Sequence, residues 1–119
     1  MTNLRTFFTA TLLAAVGTVG LSAQRLDPRD AIDRTQADLR RAEHFERQHG
    51  KEVERYTNAQ KHLSDFDRDF VRGHFDKDKL DSAIDDLKNV VDHNTLNPED
   101  RDALIGDLRD LRAVRSERH

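Results

Sequence analysis

Three aspartates at alternate positions, Asp65, Asp67 and Asp69 in "SDFDRDF", have the D-x-D-x-D spacing that opens a calcium-binding loop. They begin a tract, 65–86, in which 22 positions hold eight aspartates. A calcium loop needs more than this opening. It requires a glycine at its sixth position for the sharp turn, an aliphatic residue at the eighth and a bidentate glutamate at the twelfth. Phe70, Arg72 and Asp76 occupy those places. If the segment is helical, Asp65 and Asp69 share one face while Asp67 lies about 200° round from Asp65, so the three carboxylates do not converge on one ion. The tract therefore reads as a solvated helix face, with divalent-cation binding by clustered surface Asp kept as the alternative from another functional class.

The remaining chemistry-bearing residues are sparse. There is no cysteine. Beyond residue 24 the serines are Ser64, Ser82 and Ser116, none in a G-x-S-x-G elbow. Gly50, Gly73 and Gly106 are too scattered to cradle a phosphate. His44, His49, His62, His74 and His93 never recur at i+3 or i+4, the spacing that sets two imidazoles on one helical face. Carboxylate pairs abound, but acid–base catalysis needs a cleft that separates two pKa values. The expectation is a non-enzyme with no cofactor and no catalytic, cofactor-binding or metal-binding residue to name.

Arg109, Arg112, Arg115 and Arg118 recur every third residue near the C-terminus. That spacing turns successive side chains by about 60° and spreads them over half the helix circumference, which makes a basic end and not a stripe. It complements the negative end of a helix dipole. Nucleic acid is an unexpected partner for a net acidic chain without aromatics among these arginines, and the same acidity argues against a membrane-surface helix.

The first 23 residues differ in kind from the rest. Arg5 precedes an uncharged, largely apolar run from Phe7 to Val19, and Leu21-Ser22-Ala23 ends in a small residue. This is the layout of a signal peptide with cleavage expected between Ala23 and Gln24; an uncleaved anchor is the alternative. An apolar run of this length spans only about 20 Å as a helix, short of a ~30 Å hydrocarbon core, so no stable membrane insertion is expected after cleavage. The expected compartment is the periplasm or the extracellular space.

Residues 24–119 make one domain, with 19 Lys and Arg against 23 Asp and Glu. Leu, Ile, Val and Phe number 21 of these 96 residues, so the core is expected to be thin and without disulfides.

Four helices are legible, at about 28–48, 51–72, 76–93 and 98–115. Asp27-Pro28 places a cap before a proline at the first helical position, with Ile32, Leu39, Ala42 and Phe45 at helical spacing and Asp30–Arg34 and Glu43–Arg47 as i,i+4 pairs. Gly50 suits a break, although the 3–4 spacing runs on in register across it and leaves one long helix as an alternative. Val53, Tyr56, Ala59, Leu63, Phe66 and Phe70 then form one face up to Arg72-Gly73. Asp76 caps the third helix, Phe75 and Leu80 form a hydrophobic staple, and Leu80, Ala83, Ile84, Leu87, Val90 and Val91 follow without a miss. Asn97-Pro98 starts the fourth, with Leu104, Ile105, Leu108, Leu111 and Val114 as its buried stripe and Gly106 in mid-helix. The fold class is all-α: a three- or four-helix up-and-down bundle.

The tract "HLSDFDRDFVRGHFDKDKLDSAIDDLKNVVDHNTLNPEDRDAL", 62–104, resembles a region shared by uncharacterised small exported bacterial helical proteins, which implies a recurring helical module and no activity. The cysteine-free, exported, helical format is similar to the Spy/CpxP group of periplasmic chaperones, but their L-T-x-x-Q signature is absent, "RTQAD" at 34–38 not matching it. A holdase-like chaperone is therefore a further alternative. The main expectation is an exported, non-catalytic interaction or structural module of the cell envelope, binding a protein partner or a second copy through helix faces set in Asp/Arg pairs.

Overall fold

A computed structural model of the protein describes residues 27–45 and 50–117. The signal-peptide layout, its cleavage point, His49 and the Glu43–Arg47 pair fall on or reach into residues outside this set. The described chain forms four helices: α1 (Pro28–Phe45), α2 (Lys51–Val71), α3 (Lys77–His93) and α4 (Pro98–Ser116). Each packs on its neighbour in sequence, and α1 also packs on α4, so the four close into a ring.

The cross-links show that all four seams are antiparallel. Residue numbers climb on one helix as they fall on its partner: Arg29 with Asp67 and Gln36 with Ser64 on α1–α2, His62 with Asp86 and Lys79 with Asp69 on α2–α3, Arg101 with Val91 and Arg115 with Asp81 on α3–α4, Arg34 with Asp110 and Arg41 with Asp100 on α1–α4. This is an up-and-down four-helix bundle.

Short connections make it so, and their chemistry is local. At the end of α2 the Gly73 amide bonds to the Phe70 carbonyl (2.9 Å) and the His74 amide to that of Asp69 (3.0 Å), with Gly73 at φ 92°. This is a Schellman closure, and only glycine takes that backbone angle without strain. Asp76 then caps α3 by accepting from the Lys79 amide at 3.1 Å, and Asn97 caps α4 by accepting from Asp100 at 2.7 Å. At the α1 start, Asp27 accepts from the Arg29 amide at 2.9 Å. Gly50 precedes α2 at φ 52°, so α1 and α2 are separate helices and the uninterrupted register is not used as one rod.

The core draws on every helix: Ile32 and Leu39 from α1, Tyr56, Leu63 and Phe66 from α2, Leu80, Leu87 and Val90 from α3, Leu104, Leu111 and Val114 from α4. The heptad-like spacing is thus consumed within one chain. Three details of the expected pattern are corrected. Ile105 is 41% exposed and Val53 39%, so neither belongs to its helix's buried stripe. The inward row of α4 runs 100, 104, 107, 111, 114 in strict 4–3 spacing, which turns Ile105 outward by about 100° from Leu104 and brings Asp107 in. On α2 the row 56, 59, 63, 66 likewise leaves Val53 aside. Arg34, expected to pair with Asp30 on its own helix, reaches across to Asp107 and Asp110 on α4.

Candidate functional site

Asp65, Asp67 and Asp69 stand on α2, and no two of them share a cation. Asp65 accepts from Lys61 (3.1 Å) and Arg68 (2.8 Å) on its own helix, Asp67 pairs with Arg29 of α1 (2.7 Å), and Asp69 accepts from Lys79 of α3 (2.5 Å). The bonds from Lys61 and Arg68 hold the Asp65 carboxyl below its ordinary pKa, and the bond from Lys79 does the same for Asp69. The tract works as two helix seams and a surface pair. Among the described residues, no three His, Asp or Glu side chains gather as a metal-binding group.

The histidines separate too. His62 contacts Asp86 across the α2–α3 seam, His74 is exposed after the Schellman turn, and His93 is exposed in the last turn of α3. Of the C-terminal arginines, Arg115 forks onto Asp81 of α3 (2.8 and 3.4 Å) while Arg109 and Arg112 are exposed; Arg118 lies outside the described residues.

The most unusual chemistry lies where sequence spacing named no residue, on the α1–α4 seam. Asp38, Asp100 and Asp107 are all buried there, together with Thr35. Thr35 satisfies its hydroxyl by donating to the Ala31 carbonyl at 2.7 Å. Arg41 serves two of the aspartates, donating from Nη2 to Asp38 (2.8 Å) and from Nε to Asp100 (3.2 Å). Asp100 also accepts from the Asn97 side chain at 3.0 Å, so the α4 cap and the seam are one network. Asp107 is served less well. Arg34 Nε stands 3.5 Å from its Oδ1, and its buried Oδ2 has no donor among the described residues. Burial first, and then the facing Asp38 carboxyl, push Asp107 up to about 8, with Arg34 opposing.

No family model, curated protein or solved structure matches this chain.

The polar network continues at the end of the bundle where α2 starts and α3 ends. Asn94, buried, donates to the Glu52 carbonyl (3.0 Å) and accepts from Arg55 (3.1 Å), while the Glu52 carboxylate accepts from the Thr95 amide and hydroxyl (2.9 and 2.8 Å). Fully buried Tyr56 sits beside Asn94 with its hydroxyl lacking a partner of good geometry, and burial pushes the phenol up to about 12. Near the α1–α2 seam an open cleft is lined by Asp33, Gln36, Arg40, Ser64, Asp67 and Arg68, with charges of both signs. Gln36 links the two helices there through the Gln60 carbonyl (3.1 Å) and Ser64 (3.2 Å). These groups fix helix positions; at Asp107 the seam combines burial, a facing like charge and an unmet hydrogen bond.

Proposed function

We propose that this chain is an exported, non-catalytic helical module of the cell envelope that works by binding a protein partner or a second copy through its outer faces. The observation that carries the reading is Val71, 53% exposed at the end of α2 and adjacent in the chain to Phe70 of the Phe66–Phe70–Phe75 cluster. An exposed β-branched residue beside an aromatic cluster is an anchor that a partner can cover, and the surrounding Asp/Arg pairs supply register more than affinity. Export rests on the signal-like layout of Met1 to Ala23.

A photo-crosslinking residue placed at Val71, with exposed Arg112 as the comparison position, tests this in the native host. The expected result is a discrete adduct at Val71, absent at Arg112, on a chain whose mass begins at or next to Gln24. The reading fails if both positions give the same pattern or if the protein stays in the cytoplasm with Met1 to Ala23 attached.

A further inference from the structure

We propose that the α1–α4 seam is a proton-operated latch, in which Asp107 carries a proton that it donates to Asp38 while the bundle is closed, and loss of that proton loosens α1.

Burial, like charge and an unmet hydrogen bond argue for a proton between these groups. Asp107 is 3% exposed and Asp38 8%, on facing helices, and two ionised carboxylates so placed would repel without water to screen them. Asp107 Oδ2, buried and without a donor among the described residues, is an unmet acceptor as a carboxylate, whereas as an acid it becomes a donor to the facing Asp38 carboxylate. The cations at hand are committed elsewhere. Arg41 spans Asp38 and Asp100, and Arg34 makes its 2.8 Å bond to Asp110, leaving Asp107 the looser 3.5 Å contact. On α4 itself, Asp110 adds negative charge near Asp107, and Asp100 is held by Arg41. On α3, the other helix packed on α4, Ile84, Leu87 and Val91 are buried and apolar, Asp81 is held by Arg115, and Lys88 is bound to Asp92 at 2.6 Å. Among the described residues, no neighbouring element brings a spare cation to Asp107.

The consequence has a definite sign. An aspartate in the unfolded chain titrates near 4, and Asp107 in the bundle near 8, so between those values the folded chain holds one more proton than the unfolded one. Its contribution to stability is complete below about pH 4 and declines as pH rises through the folded value. The folding constant is expected to fall by up to about tenfold per pH unit across this window. Asp65, Asp69 and Asp92, held low by Lys61, Lys79 and Lys88, act in the opposite direction below the ordinary carboxylate range, where they lose stability as pH falls. The sum is a stability maximum in mild acid.

Denaturant unfolding of the full chain from pH 5 to pH 9, with hydrogen exchange by helix corrected for the intrinsic pH dependence of exchange, reads the latch directly. Asp107→Asn supplies a permanent donor of the same shape, so it should flatten the decline and make the protein more stable than wild type at pH 8–9. Asp38→Asn, which removes the facing carboxylate, should flatten it as well. In the wild type, protection of α1 should fall with pH before that of α2 and α3. A decline that persists unchanged in both variants would overturn the proposal. So would Asp107→Asn failing to fold at pH 5, where the wild type already carries the proton that the amide imitates.

Discussion

The α2–α3 seam and the α1–α4 seam are built from the same helical geometry and opposite chemistry. On α2–α3, Ala59, Leu63 and Phe66 meet Leu80, Ala83, Leu87 and Val90, all fully buried. Phe66, Phe70 and Phe75 add ring contacts with centroids 5.2 to 6.1 Å apart, and the Schellman closure ties the two helices together. On α1–α4, the buried α1 residues include Ala31, Ile32, Leu39 and Ala42, with only two large aliphatics among them, and although α4 brings Leu104, Leu111 and Val114, the buried positions of the two helices also hold Thr35, Asp38, Asp100 and Asp107. Apolar burial is indifferent to pH and tolerant of small displacements. Buried carboxyls are neither, because each must keep its partner or its proton. The first seam therefore secures the bundle and the second makes its closure conditional.

Truncation in the apolar seam should have the largest effect. Phe66→Ala removes a fully buried ring from the aromatic cluster and is expected to cost about 3–5 kcal/mol, read from the urea midpoint at constant slope. If Ile32→Ala on α1 cost as much at pH 5 as Phe66→Ala, the two seams would be equal partners and the contrast would collapse.

The cap of α4 sharpens the contrast at a smaller scale. Asn97 accepts from the Asp100 amide and donates to the Asp100 carboxylate, so Asn97→Ala loses a cap and one bond to a buried charge. A loss of about 1–2 kcal/mol is expected, toward the upper part of the range for caps. Asp76→Ala, whose carboxylate caps α3 through the Lys79 amide at the apolar seam, should lie nearer 1 kcal/mol, about the typical cap value. Equal losses would mean that the Asp100 network adds nothing to the cap.

Gly106 offers a gain. A Cβ built there meets only Arg109 Nη2, at 3.6 Å, which is ordinary contact with the end of a flexible side chain. No close helix approach requires the glycine, so Gly106→Ala should stabilise by up to about 1 kcal/mol through helix propensity. The gain should be the same at pH 5 and pH 8, since the one atom the added Cβ meets beyond its chain neighbours belongs to Arg109. Thermal unfolding at both pH values would measure it.

Helices α3 and α4 are legible in the sequence because caps and stripe coincide: Asp76 and Asn97 start them, and Leu80 to Val91 keeps a strict helical pattern. The break at Gly50 was harder, since periodicity alone runs through it and only the φ of 52° decides. The seam aspartates are invisible to a pattern of apolar residues alone. Continuing the 4–3 spacing from Leu104, Leu111 and Val114 lands on Asp100 and Asp107, and the same spacing on α1 takes in Thr35 and Asp38 between Ala31 and Ala42. Polar residues on a core row are the signal. What spacing cannot supply is which pair faces across the seam, because that depends on the antiparallel offset of α1 on α4, set by packing and by Arg34 and Arg41 together.

The smallest expected effect concerns the tract where the sequence looks most like a metal site. Asp65, Asp67 and Asp69 are committed to Lys61 and Arg68 of α2 itself, to Arg29 of α1, and to Lys79 of α3. A calcium ion needs six to eight oxygens at about 2.3–2.6 Å, and recruiting these three carboxylates would require unwinding the last turns of α2, beside Phe66 and the Schellman closure. Adding millimolar Ca²⁺ should therefore shift the unfolding temperature no more than Mg²⁺ at equal ionic strength, through screening alone. Changing all three to Asn should leave that response unaltered. A saturable calorimetric signal for Ca²⁺ over Mg²⁺, lost in the triple variant, would show that the end of α2 opens readily. The α2–α3 seam would then be a second conditional element, and the division between a fixed seam and a proton-dependent one would have to be redrawn.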